Sequence, residues 1–223
     1  MILKKVIGII LDLPNTILFN FRAFNFKTAI KLPVLVSHNI KLKTIRKGSI
    51  NINGSLERFM IKIGYDGAPF IPSKDGYFSI HHNGRVNFYG KCVIAQGARI
   101  FCDGGILDIE SNVYINKNLI IQCEKNVYIG KNVLMGWNIN IRDTDGHKIK
   151  KCEFVESKSE PIHINRNTWI ASDVTILKGS KISEGSIVGC NSVVCGLDVK
   201  MSNSLVVGIP ALVKRQNVMR KSD

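Results

Sequence analysis

Aliphatic residues recur at every sixth position along two long stretches of this chain. The first series is Ile109, Ile115, Ile121, Val127, Val133 and Ile139, and the second is Ile164, Ile170, Ile176, Ile182, Val188 and Val194. An interval that holds over six successive positions in two separate stretches indicates a structural repeat.

A six-residue repeat fits β-strands and does not fit an α-helix. Six residues turn a helix through about 600°, which would spread the series over three helix faces. In a strand, residues separated by an even number point to the same face. Most positions of the second series also have a small or apolar residue two places earlier: Thr168, Val174, Ser180, Ser186 and Ser192. We therefore predict an all-β solenoid of hexapeptides, each a short strand followed by a corner.

The register of the pattern changes once within the first series. Up to Ile121 the apolar partner stands two residues earlier, and from Val127 onward it stands two residues later. This change predicts a two-residue insertion at a corner within 122–125. A shorter ladder precedes the first series and consists of Phe88, Ile94, Ile100 and Ile106.

The chain of 223 residues is long enough for one solenoid domain with extensions at both ends. We expect a cap at 1–45, the solenoid at 46–208 and a basic tail at 209–223. The first apolar run ends at Asp12 and Pro14 without a signal-peptidase site, and no stretch reaches the ~20 apolar residues that span a bilayer. We therefore expect a cytoplasmic protein. The cap is expected to cover a solenoid end, with peripheral contact at the inner face of the membrane as the alternative.

The net charge is strongly positive. Lys and Arg number 31 against 17 Asp and Glu, which gives a formal net charge of +14. This balance favours anionic partners such as a phosphorylated cofactor, an acidic polymer or a membrane surface, although a basic surface without a partner fits it equally. No Arg-rich tract alternates with aromatic residues, so no nucleic-acid partner is expected. The six cysteines form no Cys-x-x-Cys pair and are expected to be reduced core or corner residues.

The repeat stops between the two series. Residues 142–161 contain no inward aliphatic position, and a polar interruption of this length predicts a protruding loop. The loop contains His147, one of five histidines, close to Asp143 and Asp145. Histidine titrates near neutral pH, so it is suited to remove a proton from a hydroxyl or amine nucleophile.

Four features in this order resemble the hexapeptide-repeat acyltransferases. They are the aliphatic ladder, the segment from Asp143 to His147 (DTDGH), the segment from Asn167 to Ser172 (NTWIAS) and the segment from Gly208 to Arg215 (GIPALVKR). The likeness covers roughly residues 86–215 and is strongest to the galactoside and maltose O-acetyltransferases and their relatives in capsule and surface-polysaccharide assembly. The resemblance implies a left-handed parallel β-helix and a homotrimer. It also implies that acetyl-CoA and a sugar or glycan acceptor meet in a groove between neighbouring subunits. The basic surface and the N-terminal cap favour a polymeric, lipid-linked or phosphorylated glycan as that acceptor.

The resemblance also assigns roles on the acceptor side. His147 matches the catalytic histidine, Asn116 an asparagine that faces the acceptor hydroxyls, and Glu124 a nearby acceptor-binding carboxylate. Asp143 and Asp145 are expected to contact the acceptor or to orient the His147 ring. The alternative for Asn116 and Glu124 is that both are solvated corner residues.

On the donor side, the resemblance places Trp169, Ala171 and Ser172 at the start of the coil along which pantetheine lies. The other residues implied to bind the cofactor are Cys190 and Cys195, which match small groove-lining residues, and Lys214 and Arg215, which lie near the cofactor phosphates. Trp169 as a packing residue and Arg215 as part of a basic tail are the alternatives.

The sequence departs from the galactoside enzymes at three places. Leu212 stands where those enzymes have a second arginine, and Gly196 replaces a lysine, so we expect Lys200 or Lys214 to contact the phosphates instead. The Asp143-Thr-Asp segment also differs, which leaves the acceptor open. His163 is the second choice for a catalytic histidine.

These assignments predict direct acetyl transfer in a ternary complex. His147 accepts the proton of a sugar hydroxyl as that hydroxyl attacks the thioester of acetyl-CoA, and the backbone N–H of Ala171 is a candidate donor to the oxyanion. Three other functions remain open: N-acetylation of a nucleotide-linked amino sugar or a xenobiotic, a metalloenzyme related to γ-carbonic anhydrase, and a non-catalytic trimeric scaffold. No metal site is expected, because a zinc site of that class needs three histidines at suitable spacing.

Overall fold

A computed structural model describes residues 2–148, 150–151, 154–155 and 158–220. Within these residues, successive strands along the chain belong in rotation to three sheets. The first sheet contains β1 (Val34–Val36), β4 (Ile61–Ile63), β7 (Cys92–Ile94), β10 (Val113–Ile115), β13 (Leu134–Met135), β18 (Trp169–Ile170), β21 (Ile187–Val188), β23 (Leu205–Gly208) and β24 (Ala211–Arg215). The second contains β2 (Ile40–Leu42), β5 (Gly76–His81), β8 (Arg99–Asp103), β11 (Ile120–Cys123), β14 (Asn140–Arg142), β19 (Thr175–Leu177) and β22 (Val193–Val194).

The third sheet closes the coil. It contains β3 (Ile50–Ile52), β6 (Arg85–Phe88), β9 (Ile106–Ile109), β12 (Asn126–Ile129), β17 (Ile162–Ile164) and β20 (Lys181–Ile182). A separate antiparallel pair, β15 (Lys150–Lys151) and β16 (Phe154–Val155), lies in the loop between β14 and β17. The chain is therefore a solenoid of parallel strands, as the hexapeptide pattern predicted, and it is the left-handed parallel β-helix that the family resemblance implied.

The strand register gives the length of each coil. Trp169 pairs with Ile187, eighteen residues later, which is three hexapeptides. Tyr114 pairs with Leu134, twenty residues later. The two additional residues lie at the corner between β11 and β12, which confirms the insertion predicted within 122–125.

Both aliphatic series form the core. All twelve positions are buried, and they line the inside of the prism coil after coil. Hydroxyl residues also point inward, and each is satisfied locally: Thr168 Oγ1 donates to the Asn165 carbonyl at 2.6 Å, and Ser180 Oγ donates to the Leu177 carbonyl at 2.6 Å. These bonds allow small polar residues inside the coil, because a buried hydroxyl is tolerated when it is hydrogen-bonded.

Asparagines at the corners form a second ladder that the sequence pattern did not reveal. Asn112, Asn132 and Asn167 all have positive φ, between 59° and 60°. Their side chains bond from coil to coil, with Asn132 Nδ2 donating to Asn167 Oδ1 at 3.0 Å. Asparagine tolerates the left-handed conformation better than other non-glycine residues, so it can turn the corner and link coils at the same time.

Two helices close the N-terminal end of the coil. They are α1 (Ile2–Ala23) and α2 (Phe26–Ala29), and the first coil follows at Val34, before the boundary expected at residue 46. Strand β1 has no preceding coil, and side chains of α1 take the place of one. Asn20 Nδ2 donates to the Val34 carbonyl at 2.6 Å, Asn20 Oδ1 accepts from the Val34 N–H at 3.2 Å, and Thr16 Oγ1 accepts from the Val36 N–H at 3.0 Å.

Two further findings concern the ends of the chain. In the part of the chain that is described, no helix combines the length and apolar character needed to cross a membrane. At the C-terminal end, β24 turns back and pairs antiparallel with β23, so residues 211–215 of the expected tail form a strand on the first sheet.

The cysteines occupy both core and corner positions. Cys92, Cys102 and Cys123 are buried free thiols, and burial raises the pKa of Cys92 to about 12. Cys190 and Cys195 are exposed at corners, while Cys152 lies outside the described residues.

Replacing Asn20 tests the helix cap. Asn20→Ala leaves both main-chain groups of Val34 without their partner, and we expect a loss of about 1–3 kcal/mol in the free energy of unfolding. Urea unfolding measures it, with the exposed Asn53→Ala as the control. Equal stability of the two variants would contradict the capping role.

Candidate active site

The corners between the second and third sheets stack into one edge of the prism. We call it the His147 edge, and it comprises residues 124–125, 143–148, 158–161, 178–180 and 195–198. The loop predicted at 142–161 leaves the coil here, after β14, and returns at β17. Residues 149, 152, 153, 156 and 157 of this loop lie outside the described residues.

Asp143 fixes the base of the loop. It is fully buried, and its two carboxylate oxygens accept the Glu124 N–H at 2.8 Å and the Lys125 N–H at 2.7 Å. Burial raises the pKa of Asp143, and main-chain N–H groups, including that of Asn126, act in the opposite direction. The expected acceptor contact of Asp143 does not fit this geometry, because a buried carboxylate bonded to the main chain is not open to a ligand.

Ion pairs between carboxylates and lysines lie around the loop on the His147 edge. Glu124 Oε2 pairs with Lys158 Nζ at 2.5 Å, and Asp145 Oδ2 pairs with Lys178 Nζ at 2.7 Å. Lys178 also lies 4.0 Å from Glu160 Oε1. Two predicted acceptor-binding residues, Glu124 and Asp145, are thus brought together with two lysines that sequence reasoning missed. No spacing rule singles out these lysines among the many in the chain.

His147 itself stands exposed next to a tight turn. Gly146 has φ +79° with open space around it, and its N–H donates to Thr144 Oγ1 at 3.1 Å. Among the described residues, none makes a hydrogen bond or ion pair with the His147 ring. Neither Asp143 nor Asp145 orients it here, because Asp143 bonds the main chain and Asp145 pairs with Lys178. Its exposure makes the ring accessible to a substrate or a neighbouring subunit.

The corners between the first and second sheets form a different edge. We call it the Asn116 edge, and it comprises residues 116–119, 136–139, 171–174 and 189–192. Residues 64–75 form a loop over its lower part. Main-chain N–H groups of this loop donate to the side-chain oxygens of Asn116 and Asn118. Asn116 Oδ1 accepts the Ala68 N–H at 2.9 Å, so this oxygen already has a protein partner.

The 64–75 loop brings the exposed Phe70 against the half-buried Trp137 of the Asn116 edge. Phe70 is 71% exposed and meets Trp137 edge-to-face with ring centroids 5.5 Å apart. Sequence reasoning missed this loop, although Pro69 and Pro72 and the absence of inward aliphatic positions between Ile63 and Phe78 were signals for it.

The predicted donor-side residues lie on or beside this second edge. Trp169 is half-buried on β18, and Ser172 Oγ accepts the Trp137 N–H at 3.3 Å. Gly136 permits this approach, because a Cβ there would lie 2.4 Å from Ser172 Oγ. The Ala171 N–H donates to the Val188 carbonyl at 2.8 Å within the parallel ladder, so the expected oxyanion role is wrong for it.

The remaining residues predicted to bind the cofactor lie on different parts of the fold. Cys190 is exposed on the Asn116 edge and Cys195 is exposed on the His147 edge, so they do not line one groove within a single chain. Lys214 and Arg215 are exposed on β24 of the first sheet. The second sheet lies between the two edges, and the five residue steps from Asn138 to Asp143, which include β14, correspond to roughly 16 Å of extended chain.

In the described parts of the chain, no group of three His, Cys, Asp or Glu side chains is placed to hold a metal ion. His163, the second choice for catalysis, is half-buried on β17, with its ring 6.0 Å from that of Tyr128.

Comparison with known proteins identifies relatives of the chain. No family model matches it. It is 28% identical over 150 residues to WbbJ of Escherichia coli K12, named as an O-acetyl transferase of lipopolysaccharide biosynthesis, and the match covers 62% of this chain and 76% of WbbJ. It is 35% identical over 119 residues to galactoside O-acetyltransferase of the same strain, covering 52% of this chain and 57% of that protein.

A solved structure shares the fold. The crystal structure of the acetyltransferase NeuO, described as specific for polySia, matches with a TM-score of 0.59 at 20% identity, covering 85% of this chain and 79% of NeuO. The coil and its loop define a hexapeptide-repeat β-helix protein. In sequence the chain is thus similar to proteins named as O-acetyltransferases, and the likeness to NeuO shows the shared fold.

The two aspartates of the DTDGH segment allow a matched test. Asp143→Ala removes the acceptor of main-chain N–H groups, and we expect it to lower the free energy of unfolding by about 1–3 kcal/mol. Asp145→Ala removes one partly exposed ion pair, for which about 0–1 kcal/mol is expected. Chemical unfolding of both variants measures the difference, and an Asp145 variant less stable than the Asp143 variant would refute the structural role of Asp143.

Proposed function

We propose that the protein is an acetyl-CoA-dependent O-acetyltransferase. It transfers the acetyl group to a sugar hydroxyl of a capsular, exopolysaccharide or lipopolysaccharide glycan. The observation that carries the proposal is the exposed His147, which follows a glycine turn on a loop rooted by Asp143. Support comes from the relatives, since WbbJ and galactoside O-acetyltransferase are both named as O-acetyltransferases.

His147 acts as the general base. An imidazole nitrogen accepts the proton of the acceptor hydroxyl as the oxygen attacks the thioester carbonyl of acetyl-CoA. The tetrahedral intermediate then collapses, the carbon–sulfur bond breaks, and the proton passes from His147 to the departing thiolate. The products are the acetyl ester of the glycan and CoA, so the transfer is balanced and His147 returns to its starting state.

The charged residues of the His147 edge suit a polar acceptor. Glu124 and Asp145 offer carboxylate oxygens to sugar hydroxyls, and their partners Lys158 and Lys178 keep these carboxylates in place. Asn116, on the other edge, has its Oδ1 bonded to the main chain, so its Nδ2 is the group left to contact an acceptor.

The donor side is proposed to lie across a subunit boundary. Trp169, Ala171, Ser172 and Cys190 lie on or beside the Asn116 edge and would line the path of pantetheine, while Cys195 lies on the His147 edge. Because one chain keeps these edges apart, a homotrimer in which neighbouring edges face each other would complete the site. The exposed ammonium of Lys214 and guanidinium of Arg215 suit the cofactor phosphates. The reaction would take place in the cytoplasm.

The test measures transfer of isotopically labelled acetyl from acetyl-CoA to a panel of surface glycans by mass spectrometry. We expect a labelled acetyl group that mild base removes, because base cleaves an ester and leaves an N-acetyl amide intact. In the same assay, His147→Ala should lower turnover by roughly 10²–10⁴-fold, the usual contribution of a general base.

His82→Ala is the matched control, because His82 is also an exposed histidine at a corner between the second and third sheets. It should keep the wild-type rate. Near-normal activity of His147→Ala would refute its role as the base. No labelling of any glycan would refute the proposed activity, and a base-resistant label would indicate N-acetylation instead.

A further inference from the structure

Helix α1 has its polar side chains on the inner face. Asp12, Thr16 and Asn20 are buried against the first coil. Thr16 and Asn20 bond the main chain of β1, and Asp12 accepts from the His38 N–H, His38 Nδ1 and the Tyr65 hydroxyl. Phe19 and Ala23 are buried on the same face, so the inner face of α1 mixes polar and apolar side chains. A helix that covers a globular core normally places its apolar stripe inside and its polar side chains outside.

The outer face of the helical cap is correspondingly apolar. We call it the cap face; its residues are Ile10, Leu11, Ile17, Leu18 and Phe21 of α1, Phe26 of α2 and Ile30 after it. Their exposure ranges from 39% at Leu18 to 69% at Phe26. Seven large apolar side chains on one surface exceed the scattered exposed residues found on ordinary proteins, and such a surface marks an interaction site.

Positive charge surrounds this face. Residues 1–56 contain nine Lys and Arg and a single acidic residue, Asp12, which is buried. Arg22, Lys27 and Lys31 are exposed in or beside the two helices. An apolar face with a cationic border and no exposed carboxylate matches an anionic bilayer, whose acyl chains accept the apolar residues while its headgroups attract the cations.

We propose that the cap face lies on the surface of an anionic phospholipid bilayer. The apolar side chains of α1 and α2 enter the boundary between headgroups and acyl chains, with both helices parallel to the membrane plane. A second copy of this chain is a poorer occupant, because pairing two cap faces would bring two cationic borders together.

The orientation has a consequence for catalysis, which rests on the proposed function. His147 lies in a loop inserted within the fifth coil, between β14 and β17, and coils are spaced by about 4.8 Å, so the loop begins roughly 20 Å above the first coil. In the proposed trimer, cyclic symmetry puts all three cap faces on the same side. Membrane binding would therefore hold three sites at a fixed height above a lipid-linked glycan.

Vesicle sedimentation of the full-length protein tests the cap face. We expect binding to vesicles of phosphatidylcholine with an equal part of phosphatidylglycerol, weaker binding to pure phosphatidylcholine, and a decrease as salt screens the attraction. Phe21→Ser with Phe26→Ser should weaken binding to the anionic vesicles by roughly tenfold or more, since two aromatic anchors are lost. Both residues are exposed, so the thermal unfolding midpoint should stay near that of the wild type.

Met201→Ser with Met219→Ser is the matched control, because it removes two exposed apolar side chains far from the cap. This variant should bind vesicles like the wild type. The proposal would be overturned if the wild-type protein does not sediment with anionic vesicles. It would also be overturned if both double variants bind these vesicles equally. A smaller oligomer for the Phe21 and Phe26 variant in light scattering, without a change in vesicle binding, would identify the face as a contact between chains and also overturn it. Vesicle binding needs no acetyl-CoA or glycan, so its failure is distinguishable from failure of the proposed activity.

Discussion

The in-register parallel pairing of each coil with the next is the constraint on which the rest of the structure depends. Trp169 pairs with Leu134 below it and with Ile187 above it, and the aliphatic ladder fills the space inside. Because register holds from coil to coil, corners stack above corners. Residues far apart in sequence, such as Glu124 and Lys178, thereby reach one edge of the prism, where a loop inserted at a single corner places His147.

A stack of coils leaves unpaired main-chain groups at each end, and the protein closes its two ends differently. At the C-terminal end, β24 folds back on β23. At the N-terminal end, Thr16 and Asn20 replace a missing strand with side-chain bonds. This use of polar residues inside the cap leaves the apolar side of α1 outside. The main-chain N–H and C=O groups of β1 need hydrogen-bond partners, and the polar side chains of α1 supply them. This requirement explains why apolar side chains of α1 face outward.

The interval of six residues predicted the coil, its core and the extra residues at the 122–125 corner, because inward positions repeat in sequence. The same pattern located the interruption that contains His147. It could not predict the hydrogen bonds of individual site residues: Asp143 in the loop is buried against the main chain, and Ala171 at a corner donates its N–H to the Val188 carbonyl. The 64–75 loop and the lysine partners were also missed, because ion pairs between corners depend on three-dimensional stacking and leave no periodic signal.

The central claim is that one chain carries two incomplete halves of the site on separate edges, which a neighbouring subunit completes. Co-expression of His147→Ala with Cys190→Trp, a variant that fills the proposed donor groove, tests it directly. Each parent alone should be inactive, whereas purified mixed trimers should recover about a third of the wild-type turnover, because a cyclic trimer with two chains of one variant and one of the other contains one intact site of three. An active Cys190→Trp parent, or mixed oligomers no more active than their parents, would contradict the account.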